Sequence, residues 1–376
     1  MKSISIIIFL ILGSNISIQS TCPRYVNATF PPVTSTQSNY NDFNKYVLTQ
    51  PNVTGVSVLV TWNSIESNTI PGSYNFSTWD ANLLHFKTAG KIVNLIVKPV
   101  DEGTTNHGTP TYVFGTNWAT TVGAINPQNV AYCPYFPGSG VLTNTYANIN
   151  NPNFDITGFP VSYELPFKAA YKNFIAAVIQ HYSNPGPNVP KIGYIRFGMS
   201  AGGEAVPLCK TYWPGYSQTA YLNYIKEMML FIASKNPSMK MLADLNVVNN
   251  TTIYTDSEAV YAVKYGNMGF GTNGLQISDI TNYPNSTSDW VNMFSLYKDQ
   301  LINGDLITLS LQTFLTSDPT NVLQTGSLVD LLPFAKKYYT NNLEIYTCDL
   351  LLAYDPNYST TTCYTQHPGY GNYSAA

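Results

Sequence analysis

Two hydrophobic rhythms alternate along this chain. The run "GVSVLVTW" (Gly55–Trp62) is short, rich in Val and nearly continuous, as a strand covered on both faces must be. A helical rhythm follows in "PGSYNFSTWDANLLHFKTAG". Trp79, Leu83 and Phe86 fall on one face there, Ser77 with Asp80 makes a capping-box-like start, and Gly90 stops the helix. "KIVNLIVKPV" (Lys91–Val100) is the next strand. From Asp101 to about Gly158 the rhythm is lost in a stretch of Gly, Pro, Asn and Tyr, a length that marks a functional loop region in a compact domain.

The rhythms then resume. "YELPFKAAYKNFIAAVIQHYS" predicts a helix with Phe167, Tyr171, Phe174, Val178 and Tyr182 inward. "KIGYIRFG" predicts a strand, and "TAYLNYIKEMMLFIASKN" a helix burying Tyr221, Ile225, Met228 and Ile232. Further strands are expected in "MKMLADLN" (Met239–Asn246), as a short one in "MGFGTNGLQISD", in "LITLSLQTF" (Leu306–Phe314) and in "LEIYTCDLLLAYDP". Helices are expected in "DWVNMFSLYKDQLING", ended by Gly304, and in "GSLVDLLPFAKKYY" despite Pro333. Alternating elements of this kind make an α/β protein with a parallel sheet. Seven strands follow from Gly55 onward, and an eighth at Arg24–Phe30 ("RYVNATF") completes a (β/α)8 TIM barrel. An open doubly wound sheet is the alternative, but no G-x-G-x-x-G follows the first strand.

Composition narrows the setting. Of 376 residues 44% are apolar and only 10% charged, against roughly 25% charged in ordinary soluble domains. The polar surface must therefore come from Asn, Ser, Thr and Tyr. With a net charge of −3 and no basic block, nucleic acid is not an expected partner. The opening "MKSISIIIFLILGSNISIQS" places one Lys before a short apolar run, the form of a secretory signal peptide cleaved near Ser20. Residues 1–20 are thus expected to be the signal, and 21–376 a single barrel domain with long loops, extracellular and free of the membrane after cleavage. N-x-S/T sequons begin at Asn27, Asn52, Asn75, Asn249, Asn250, Asn285, Asn357 and Asn372, in keeping with a secreted glycoprotein. An oxidising compartment also favours disulfides among Cys22, Cys133, Cys209, Cys348 and Cys363. Cys348–Cys363 would close a short loop, Cys133–Cys209 would tie two long ones, and Cys22 is left over; spacing does not fix the connectivity. No metal or cofactor is expected, since neither C-x-x-C nor H-x-x-x-H occurs. Nothing in the sequence speaks to oligomeric state.

A barrel of this type does its chemistry on the loops after the C-terminal ends of its strands. That filter passes Glu204 in "GYIRFGMSAGGEAVP", Asp244, Glu344, Asp349, Glu66, Asp101 and Glu102. Glycoside hydrolysis needs two carboxyl groups flanking the scissile bond, one to protonate the leaving oxygen and one to attack carbon or activate water. Glu204 suits the acid role because Gly202 and Gly203 leave room for a sugar beside it. Its structural alternative is a loop glutamate paired with Arg196 or Lys210. For Glu344 the alternative is a buried barrel salt bridge, and for Asp349 a helix cap.

The block Gly55–Lys91, with a strand ending in "WNSIE", then "PGSYNF", then an Asp-containing helix, resembles the clan of retaining TIM-barrel glycoside hydrolases that includes many β-galactosidases. "GMSAGGE" is similar to that clan's fourth-strand end and to the acid-bearing segment of β-amylases. The resemblance implies that Glu204 is the acid/base and Glu66 structural. One departure stands out: where the retaining clan carries its nucleophilic Glu, "LITLSLQTF" holds Gln312. A neutral amide is no nucleophile. Three readings follow. Glu344 or Asp349 supplies the second carboxylate; Gln312 orients water or substrate; or the protein binds glycans, or serves in the extracellular matrix, without cleaving them. Aromatic faces would stack a sugar. Trp62 at a strand end and Trp213 in a loop are the favoured platforms, with Trp118 and Tyr212 nearby. The expected partner is a carbohydrate.

Overall fold

The computed structural model describes residues 25–29, 31–37, 39–100, 108–113, 130–135, 155–160, 162, 165–200, 205, 217–235, 237–244, 267–275, 308–313, 331, 333–335 and 342–357. The strands are β1 (Tyr25–Thr29), β2 (Gly55–Thr61), β3 (Ile92–Lys98), β4 (Val130–Tyr135), β5 (Asp155–Pro160), β6 (Ile192–Phe197), β7 (Lys240–Asp244), β8 (Met268–Leu275), β9 (Thr308–Thr313) and β10 (Asn342–Tyr346). The helices are α1 (Tyr40–Asp42), which runs on as a π-helical turn over Phe43–Val47, then α2 (Ser77–Thr88), α3 (Leu165–Ser183), α4 (Gln218–Ser234) and α5 (Thr347–Tyr354).

Eight strands pair in parallel in the closed order β1-β10-β9-β8-β7-β6-β3-β2. The strand expected at Arg24–Phe30 is β1, and it joins the two ends of the ring by pairing with both β10 and β2. Two expectations about the strands need correction. The stretch from Asp101 to about Gly158 is not wholly irregular: β4 and β5 form an antiparallel pair outside the ring. And β8 is not short, for its eight residues pair with β7 on one side and β9 on the other. The helix expected to end at Gly304 lies outside the described residues.

Side-chain contacts between strands that are not neighbours in the ring fix which side chains point inward. Arg196 on β6 meets Glu344 on β10, and Tyr194 on β6 meets Ser57 on β2. Two-residue alternation then assigns the rest. Asn27, Thr29, Ser57, Asn94, Ile96, Tyr194, Arg196, Leu242, Asp244 and Glu344 line the lumen. Their neighbours Ala28, Val56, Val58, Val60, Val93, Leu95, Val97, Ile195, Phe197, Met241, Ala243, Phe270, Leu343 and Ile345 point out into one apolar cluster with the helices. The apolar core is thus the layer between strands and helices, while the lumen is dominated by polar groups. The predicted inward faces of α3 and α4 are buried in that layer.

Local details follow from single residues. The φ of Gly90 is +75°, the left-handed value a helix C-terminus favours, so the predicted stop is found. The capping box is not formed. Phe76 is the N-cap and gives no side-chain bond. Asn75 takes over by accepting from the Ser77 amide, and Asp80 instead faces His181 of α3 at 3.0 Å.

Candidate functional site at the barrel's C-terminal end

Helices α3 and α4 flank β6 in sequence, and each places a tyrosine on that strand's exit. Tyr171 of α3 donates to the Gly198 carbonyl at 2.7 Å, and Tyr224 of α4 donates to the Met199 carbonyl at 2.7 Å. Burial raises both phenols well above their ordinary range, so both remain donors. Beyond them the buried Ser200 shares a 3.1 Å hydroxyl contact with Ser162. The segment carrying Glu204 therefore leaves the ring from a main chain pinned at two successive carbonyls. Glu204 and Trp213 themselves lie outside the described residues.

Glu344 projects into the lumen rather than onto its rim. Tyr194 donates to its Oε1, and Arg196 donates to its Oε2 at 2.7 Å. The carboxylate has no exposed side-chain surface. Of the two roles open to it, the geometry seen is the buried salt bridge. Arg196 also lies 3.5 Å from Asp244, so one guanidinium sits between two buried carboxylates. The Tyr194 phenol is pushed well above its ordinary range, first by burial and then by the Glu344 charge. Gln312 stands beside Glu344 in register on the neighbouring strand β9.

Asp349 occupies the first turn of α5, which starts where β10 ends, so it stands at the C-terminal end of the ring. It is 3% exposed. A carboxylate in the first helical turn is favoured by the helix dipole. The preceding Cys348 is disulfide-bonded; the partners envisaged for the cysteines lie outside the residues whose side chains are described.

Trp62 corrects an expectation. It was to offer a face for sugar stacking, yet it is wholly buried. Its ring packs against Phe167, Tyr171 and Phe174 of α3, with the Phe174 ring stacked 5.5 Å away. Its indole N–H donates to Glu66. Glu66, read as structural, is indeed a clamp: it also accepts from the Gly72 amide at 2.7 Å and the Tyr112 hydroxyl at 2.8 Å, joining three segments of chain. Burial raises its pKa above the ordinary glutamate value, and those three donors only partly offset the rise. The sequence signal for this role was present: a Trp four residues before a Glu, followed by a Gly-containing turn. The Tyr171 and Tyr224 clamps were missed because Tyr171 reads simply as an apolar position on a helix face and Tyr224 is not among the positions expected inward on its helix.

Among the described residues no group of three or more His, Cys, Asp or Glu side chains is placed to hold a metal ion. No protein-family model and no curated protein matches the chain. Among solved structures it is similar to an endo-1,4-β-D-mannanase from Thermotoga petrophila, at 11% identity over 86% of this chain and 88% of that one, with a TM-score of 0.46. It is similar to a GH30 endoxylanase from Clostridium papyrosolvens, at 13% identity over 87% and 65% of the two chains, TM-score 0.43. It is also similar to a GH20 β-N-acetylhexosaminidase from Streptomyces coelicolor, at 9% identity over 93% and 64%, TM-score 0.43. The structures it resembles are barrel-type glycoside hydrolases, and at identities of this order none lends its activity to this chain.

Proposed function

We propose that the chain is a secreted glycoside hydrolase on a (β/α)8 barrel, cleaving O-glycosidic bonds of a polysaccharide or glycoconjugate with Glu204 as general acid/base. The observation that supports this most is the double tyrosine clamp on Gly198 and Met199. It holds the strand exit that leads, within five residues of Met199, to Gly202, Gly203 and Glu204. A catalytic acid needs that kind of rigid support, because small misplacements cost large factors in rate. Asp349 is the better-placed second carboxylate, since it follows β10 at the same end of the ring, whereas Glu344 is committed to Arg196. Trp213 and Gln312 complete the proposed sugar site. The working place is extracellular, after loss of residues 1–20. A hydrolysis panel over oligosaccharides and glycoconjugates, run on the chain and on Glu204→Gln, tests the assignment. Loss of a general acid costs about 10²–10⁴-fold. Full activity in Glu204→Gln would remove Glu204 from the role.

A second reading is a non-catalytic glycan-binding or matrix protein on the same scaffold. It is favoured by the engagement of Glu344 with Tyr194 and Arg196, and by a Gln, not a Glu, at its register partner 312 on β9. Glycan binding without turnover of any panel member, unchanged in Asp349→Asn, would decide for it.

A further inference from the structure

Among the sequon asparagines whose surroundings are described, the fold divides exposed ones from a buried one. Asn52, Asn75 and Asn357 are exposed, whereas Asn27 is 1% exposed on β1 and points into the barrel lumen. Its register partners there are Gly55 on β2 and Glu344 on β10. The space beside it is so close that a Cβ on Gly55 would lie 2.5 Å from the Asn27 Oδ1. No sugar fits on that amide in a closed ring. Thr29, the hydroxyl residue of the same sequon, is fully buried as well.

Asn75 is the opposite case. Its Oδ1 accepts from the Ser77 amide at 3.1 Å and from the Ser77 hydroxyl at 2.7 Å. This is an Asx-turn, and it needs only residues two apart in sequence, so it can form before the barrel does. The turn engages only the amide oxygen of this exposed residue, while Phe76 stacks on His181 at 4.0 Å. In the Asn52 sequon, by contrast, the Thr54 hydroxyl is committed to the Val26 carbonyl of β1 at 3.0 Å.

We infer that Asn75 is an N-glycosylation site and that Asn27 stays bare in every folded molecule. The step is carried out by the cell's transferase. Asn75 Nδ2 forms a bond to the anomeric carbon of a lipid-pyrophosphate-linked oligosaccharide, the lipid pyrophosphate leaves with the electron pair of the broken C–O bond, and the amide gives up one proton. The inference rests on the secretory reading above, since the donor is found only in the secretory pathway. Chains modified at Asn27 cannot close the ring and so do not reach the folded pool.

The test is expression of the full chain in a eukaryotic secretory host, then release of glycans by a peptide N-glycosidase in heavy-oxygen water and peptide mass spectrometry. Protein from the medium should carry the heavy aspartate label at Asn75 and none at Asn27. Ser77→Ala should lose the Asn75 label with an unchanged melting temperature, and Ser77→Thr should keep it. Secreted, folded protein unlabelled at Asn75, or labelled at Asn27, overturns the inference. A chain that stays in the cytosol with every sequon bare overturns the secretory reading and the inference with it, and the two failures differ by where the protein is found.

Discussion

Arg196 and Glu344 stand 148 residues apart in sequence and 2.7 Å apart across the barrel lumen. Both are essentially closed to solvent, so their attraction is little screened and neither can be left alone without cost. Glu344→Ala takes one carboxylate away from a buried guanidinium and removes the carboxylate that accepts from the Tyr194 hydroxyl. Urea unfolding should show a loss of about 3–5 kcal/mol, the usual range when one partner of a buried pair is deleted. Glu344→Gln, which preserves shape and an acceptor for Tyr194, should cost less. A loss within about 0.5 kcal/mol, as at an ordinary surface position, would mean that the pair does not brace the ring.

The Glu66 clamp predicts a pH dependence of definite sign. Burial raises the folded-state pKa above the ordinary value of 4.5 that the unfolded chain retains. Between those two values the folded state holds more protons, so this group's contribution to stability is fully present below the unfolded pKa and is lost as pH rises through the folded one. Melting temperature followed upward from about pH 4 should therefore contain a falling component that Glu66→Gln lacks. Identical profiles for the two proteins would show that Glu66 titrates normally.

Gly193 marks a packing constraint at the start of β6. The β3–β6 register shifts between Val93 and Leu95, and there Asn94 Oδ1 accepts from the Tyr194 amide at 3.2 Å. A Cβ on Gly193 would meet that same oxygen at 2.5 Å and Ile92 Cγ2 at 2.6 Å. Gly193→Ala should cost about 1–3 kcal/mol, as overpacking does. Gly186→Ala, whose Cβ meets nothing within 4 Å, is the matched control. Equal melting temperatures for the two variants would remove the constraint.

Much of the ring was legible because its outward faces are apolar without interruption. Val56, Val58, Val60 and Val93, Leu95, Val97 announce strands by composition alone, and α3 and α4 announce themselves by spacing. The lumen was not legible in the same way. Asn27, Asn94, Arg196 and Glu344 lie far apart in sequence, and only closure of the ring makes them neighbours, so both a catalytic and a structural role stay open for Glu344 in the sequence. Trp62 misled for a related reason: a strand-end tryptophan is the same letter whether it faces a cleft or a helix, and α3 decided the matter with Phe167, Tyr171 and Phe174. β8 looked weak because its glycines carry no hydrophobic signal, yet Gly271 packs closely in the ring, since a Cβ there would lie 3.1 Å from Arg196 Cδ.

The tyrosine clamps separate positioning from packing. Tyr171→Phe and Tyr224→Phe each keep a buried ring and delete one hydrogen bond to the β6 exit, leaving the Gly198 or Met199 carbonyl without that donor. Each should cost about 1–3 kcal/mol in unfolding free energy, the penalty for a buried group left unsatisfied. Once a substrate is in hand from the hydrolysis panel, the proposed role of Glu204 requires the effect on turnover to exceed the effect on KM, since the clamped carbonyls would then act by positioning rather than by touching sugar. The double variant should lose more than the sum of the singles, since the two carbonyls are adjacent and either clamp alone still limits the segment's motion. Since burial raises both phenols well above their ordinary range, neither contribution should vary with pH through the neutral region. Variants that unfold more easily yet keep wild-type turnover would show that the tyrosines only stabilise the barrel.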